Sequence, residues 1–248
     1  MKNDVLSWVI DNYKKAEKFR RSYDEKFVSF YKLWRALSDD VATNYRSTWQ
    51  SAIGTEVVET LLPKIINANI RLEFLAQEEK DKELEKTNNS LVNWQWNKIR
   101  ADKYIRLWVK SVLIYGTSHL KLIWDNDLPK LIPIDISDIF IDPAAIDIKD
   151  ARYVIHRTYA SISDLKKNPN YAKKVIKTIE SAMKEDAEKN NATKIAENNQ
   201  NEKYSAQGVT GETKPIKVLE CWGEYYEEER LVVVADEKYI LRNDKNPY

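Results

Sequence analysis

The chain has 248 residues, with 40 Lys+Arg against 39 Asp+Glu and a formal net charge of +1. It is long enough to bury a core in one large or two small domains, and it lacks the cationic excess on which tight, sequence-independent nucleic-acid binding depends. No apolar run approaches the ~20 residues that span a bilayer. The start, MKNDVLSWVIDNYKK, has no signal-peptide pattern, so a soluble chain made in the cytoplasm is expected. The single cysteine, Cys221, excludes an intramolecular disulfide and reads as a small buried apolar residue.

From Asp4 to about Leu37 there is neither Gly nor Pro, and Tyr23, Phe27, Phe30, Tyr31, Trp34 and Leu37 recur mostly at spacings of three and four. This predicts a long helix with an aromatic stripe. Such a stripe either packs on another helix or is shared with a neighbouring subunit, where Tyr and Trp are favoured. The basic cluster Lys14, Lys15, Lys18, Arg20 and Arg21 reads as a solvated helix face, with contact to DNA as the alternative.

Ser38-Asp39-Asp40 and Thr43-Asn44 mark a break. Two helices are expected next, roughly over 55–69 and 78–115, with Pro63 starting or kinking the first. The stripe Ile105, Trp108, Val109, Val112 and Leu113 ends at Gly116, which suits a left-handed cap. After Gly116 the period changes to alternation. Leu120, Ile123 and Trp124 predict a strand, Asp125-Asn126-Asp127 with Pro129 a turn, and Leu131, Ile132, Ile134 and Ile136 the returning strand.

Residues 151–158 predict another strand, and Ser161 is placed to cap a short helix that ends before Pro169. A helix over about 171–194 leads into a polar tract that reads as a loop near 197–215. Ile216 to Arg242 returns to strand periodicity, with reversals at Glu227-Glu228-Glu229 and Asp236-Glu237. The expected fold class is α+β, long N-terminal helices packed with small antiparallel hairpins. The expected division is a helical region at 1–116 and a mixed hairpin and helix region at 117–248.

Catalytic signatures are lacking. There is no P-loop, GxSxG elbow, HExxH or paired CxxC, and His119 and His156 lie on predicted strands without a partnering Cys or Ser elbow. Asp135, Asp138, Asp142, Asp147 and Asp150 concentrate acid, but their spacing does not match an EF-hand loop, and turn chemistry explains them more simply. No catalytic, cofactor-binding or metal-binding residue is nominated. A metal-dependent enzyme using these five aspartates is the least supported reading.

The order of segments carries a resemblance. FVSFYKLWRAL, TNYRSTWQSAIGTEVVETLLPKIINANI, VKSVLIYGTSHLKLIWD, IPIDISDIFIDPAAIDIKDARYVIHRTYASISDLKKN and VLECWGEYYEEERLVVVADEKYILRNDKNPY follow one another as in the N-terminal and wing part of a tailed-bacteriophage portal protein. Each stretch is weakly specific alone; five in series are more so. The resemblance implies a structural ring subunit, usually one of twelve, at one capsid vertex of the virion. Through that ring double-stranded DNA passes without sequence specificity. The implied partners are the large terminase subunit, capsid or scaffolding protein and a head-completion adaptor, with no membrane and no catalytic residue.

In that family a stem helix, clip and crown follow the NPY segment, whereas this sequence stops there. On that basis the chain reads as a fragment, expected to be a monomer or weak oligomer when isolated. The alternative function is a non-catalytic nucleic-acid-binding module using the basic first helix.

Overall fold

The structure is a computed structural model that describes residues 2–37, 51–66, 72–125, 127–184 and 215–246. The break expected around Ser38–Asn44 and, apart from Pro215, the loop expected near 197–215 lie outside the described residues. The chain forms two compact units, one of residues 1–20 with 138–248, the other of residues 21–137. The class is α+β, with two antiparallel sheets.

The first unit is built on a five-stranded meander whose spatial order is its chain order: β3 (Ile139–Ile141), β4 (Tyr153–Ala160), β5 (Ile216–Tyr225), β6 (Glu228–Ala235) and β7 (Tyr239–Lys245). Side chains alternate across a strand, so each strand feeds two cores. On one face Tyr153, Ile155, Leu219, Cys221, Val232 and Val234 meet Val5, Val9, Tyr13 and Ala16 from helix α1 (Lys2–Arg35). On the other face Val218, Leu231, Val233 and Leu241 meet Ile162 and Leu165 of α5 (Ile162–Lys167), and Ile176 and Ile179 of the helical residues 173–184, here α6. Covered on both faces, β6 buries all five residues from Leu231 to Ala235. Each such aliphatic side chain contributes about 1.5–3 kcal/mol of burial free energy.

Local chemistry sets the ends of these elements. Ser161 accepts a hydrogen bond from the Asp164 amide while the Asp164 carboxylate accepts from the Ser161 amide, so α5 starts with a complete capping box. The β5–β6 reversal uses Tyr226 and Glu227, both at positive φ (50° and 61°), rather than the three glutamates expected from sequence. A two-residue turn of this hand matches the twist of the flanking strands, which shifts the reversal one residue back and leaves Glu228 and Glu229 in β6. The second reversal falls at Asp236–Glu237 as expected, again with both residues at positive φ.

The second unit holds the C-terminal part of α1, then α2 (Ile53–Ile66), α3 (Lys82–Ile99), α4 (Ala101–Tyr115) and the hairpin β1 (His119–Asp125) with β2 (Leu128–Ile134). Four expectations are corrected here. The single helix expected over 78–115 is broken at Arg100, which adopts left-handed geometry (φ 53°, ψ 51°) and caps α3 through its amide to the Asn97 and Trp96 carbonyls. No residue in NKIRAD is a helix breaker, and a non-glycine residue enters this conformation at a cost of roughly 1–2 kcal/mol. Pro63 lies inside α2, within its last turn, and does not start it. Pro129 pairs with Trp124 inside β2 instead of forming the turn, and Ile136 opens a short 3-10 turn beyond the strand. Gly116, at φ 79°, caps α4 with its amide on the Val112 carbonyl, as expected.

Candidate subunit interface

Of the basic cluster of α1, Lys14, Lys15, Lys18 and Arg21 are exposed, as a solvated helix face requires, and Arg20 is turned inward. Arg20 lays its guanidinium 3.9 Å from the Phe140 ring centroid and donates to the Ile139 carbonyl at 2.7 Å, so this cation is spent on holding α1 to β3. Arg157 of β4 completes the seam: it donates to Asp138 at 3.0 Å and to the Tyr13 hydroxyl at 3.4 Å, with its guanidinium 5.2 Å from the same Phe140 ring. Lys217 sits 4.3 Å from the Tyr13 ring centroid and pairs with Glu237 at 2.7 Å. Burial opposes the Lys217 charge, but Glu237 and Tyr13 outweigh it and raise the Lys217 pKa.

The five aspartates do not converge. Asp135 accepts from the Ser137 amide and hydroxyl, and Asp147 accepts from the Lys149 amide, both as turn caps. Asp138 is paired with Arg157. Asp142, 5% exposed, accepts from the Ala144 amide at 3.1 Å and from Arg152 at 3.0 Å. Burial pushes its carboxyl up, yet these donors together hold it below the ordinary carboxylate range. Among the described residues no group of three or more His, Cys, Asp or Glu side chains is arranged to hold a metal ion. His119 is pushed below its ordinary pKa by burial on β1, and His156 lies on β4 opposite Ile139 and Glu220. Cys221 is fully buried, and burial raises its thiol pKa strongly.

Beside Asp142, Trp8, Asn12, Lys15, Arg152 and Glu224 line a concavity of about 480 Å³. It holds two cations and two carboxylates, one of them already tied to Arg152. It has neither an activated nucleophile nor an oriented acid–base pair.

What distinguishes the second unit is its surface. Among the described residues 24 large hydrophobic side chains are exposed, and 19 of them belong to residues 21–137. In the same unit only Val58, Leu62, Ala101, Val109 and Ile134 are buried apolar residues. Exposed apolar side chains in this proportion are the kind of surface that interaction sites present. The aromatic stripe of α1 packs in part within its own unit and is in part exposed. Phe27 packs edge-on against Tyr115 at 5.9 Å, and Trp34 lies 4.9 Å from the Lys110 ammonium and beside Tyr31. Tyr23, Phe30 and Leu37 point outward. Sequence periodicity found this stripe but missed the outward apolar rows on α2 and α3, whose spacing was visible but whose exposure was not.

Among the described residues the first unit is a helix-flanked antiparallel meander with no oriented acid–base pair, and the second exposes much of its apolar surface. Residues 126–248, just under half of the chain, match the family described as phage SU10 portal protein, so this part of the chain is a phage portal domain. That family is structural and non-catalytic, and it implies a ring oligomer associated with the capsid. No curated protein matches the chain significantly. Among the described residues no helix is long and apolar enough to cross a membrane.

Proposed function

We propose that this chain is the repeated subunit of the ring at one capsid vertex through which double-stranded DNA is packaged and ejected and to which the tail is joined. The match of residues 126–248 to a portal family carries the reading. The uncovered apolar surface of residues 21–137 supports it, because a ring subunit must keep such surface for its neighbours. The formal net charge of +1 suits a wall past which a polyanion slides, since few phosphates would be neutralised and few counterions released. In this reading residues 117–248 form the wing region and residues 1–116 the helical region. The chain has no enzymatic activity of its own, is made in the host cytoplasm and acts in the virion. Its partners are further copies of itself in a ring, usually of twelve in that family, the large terminase subunit, capsid or scaffolding protein and a head-completion adaptor.

The reading is tested by electron microscopy of the purified chain over a concentration series. Monomers or weak oligomers at low concentration that close into rings with a central channel as the concentration rises are expected. A chain that forms no ring at any concentration would refute the proposal. The nucleic-acid-binding reading is separated by duplex filter binding, where it alone requires affinity that falls steeply with salt.

A further inference from the structure

Two outward rows in residues 21–137 have no counterpart among the described residues. On α2, Ile53, Val57, Leu61 and Ile65 recur every four residues and are 40–62% exposed, beside the inward Val58 and Leu62. Twelve residues from first to last give a ridge of about 18 Å at ~1.5 Å per residue, and an i±4 row is a ridge that helix packing inserts into a facing groove. The second row is on α3, an 18-residue helix with no buried residue. Its Leu84, Leu91 and Trp94 are 48–58% exposed and share one face, while Asn89 on another face accepts from and donates to the backbone of Phe74. An exposed helix with three large apolar side chains on one face and none buried is held weakly by its own chain.

α4 packs on both α2 and α3, and both rows are exposed, so the two rows do not cover each other. A closed cyclic ring needs a heterologous contact, in which each copy presents two different patches, one for each neighbour. Two apolar rows of similar length on different helices, each bordered by exposed charge (Glu56 and Lys64 on α2, Glu83 and Lys86 on α3), have the apolar centre and polar rim of a subunit contact. We propose that the α2 ridge of one copy packs against the α3 row of the next copy. This inference rests on the ring reading and names the faces that close the ring.

The test uses full-length chains carrying Val57→Cys or Leu91→Cys and a short bismaleimide crosslinker. Native Cys221 is fully buried and does not compete. A covalent dimer is expected when the two variants are mixed at assembling concentration, and not with either variant alone. A chain bearing both substitutions is expected to give a ladder of covalent multimers. Leu61→Glu is expected to raise the concentration needed for assembly at least about tenfold, equivalent to ~1.4 kcal/mol, with unchanged circular dichroism. Rings without a mixed crosslink would overturn the α2–α3 contact and leave the portal reading standing. Crosslinking by the Val57→Cys variant alone would replace it with a two-fold contact. A Cys at position 57 that resists maleimide even in dilute monomer would show the ridge covered by its own chain, which also overturns the proposal. Absence of any assembly of the unmodified chain would instead count against the ring reading itself.

Discussion

Gly223 offers a sharp test of how the first unit is held together, because the sign of the effect is at stake. It pairs with Tyr153 across the β4–β5 ladder. A Cβ added there would lie 2.6 Å from the Arg152 carbonyl oxygen and 2.8 Å from the Tyr153 Cβ. That carbonyl cannot step aside cheaply, because it accepts the Glu224 amide at 2.9 Å. In a roomy strand site, replacing glycine by alanine stabilises by about 0.5–1 kcal/mol through lost chain entropy. Here overpacking against backbone costs about 1–3 kcal/mol, and a weakened ladder hydrogen bond about 1 kcal/mol more. Gly223→Ala is therefore expected to destabilise by about 2–3 kcal/mol net. At a urea slope of about 1–3 kcal/mol/M the unfolding midpoint, followed by tryptophan fluorescence and far-UV circular dichroism together, should fall by about 1 M or more. An unchanged or raised midpoint would refute the reasoning, since it would mean that β4 and β5 do not approach as closely as described.

Further outcomes follow from the charged seam and the buried groups. Arg157→Met keeps the length of the side chain but leaves Asp138 without its partner and removes the cation from Phe140; a loss of about 1–3 kcal/mol in urea unfolding is expected, partly restored by Arg157→Lys. Asp142 has a folded pKa held below its unfolded value, so its contribution is present above the unfolded pKa near ~3.9 and is lost as pH falls through the folded value. Midpoints measured from pH 6 down to pH 3 should show a shallower acid decline in Asp142→Asn than in the unmodified chain. Cys221, fully buried with its thiol pKa raised, should react with a disulfide reagent only at the rate of unfolding, at pH 7 and pH 9 alike; rapid labelling of native protein would contradict its placement.

Much of the fold was written in local pattern. The length of α1, the glycine cap at Gly116, the capping box at Ser161 and the strand pairs after Ile216 follow from spacing, capping chemistry and turn residues, which act over a few positions. The division of four of the five aspartates among caps and arginine pairs was half legible: Asp135 and Asp147 are turn residues of the ordinary kind, but nothing near Asp138 or Asp142 in sequence names Arg157 or Arg152 as their partners. The break at Arg100 carried no local signal, because arginine is a good helix former that here adopts left-handed geometry.

By itself the sequence determined the kinds of elements, their approximate limits and the absence of a familiar catalytic motif. Only the tertiary structure decided that Val5, Val9, Tyr13 and Ala16, rather than the denser aromatic stripe further along α1, form the helix face that covers the sheet. It also decided that Ile53, Val57, Leu61 and Ile65 remain outside. The physical reason is that periodicity says which side chains share a face, whereas burial depends on whether a second surface arrives to cover that face. In α1 that surface comes from strands more than a hundred residues away, and for the ridge of α2 none is supplied among the described residues of the same chain.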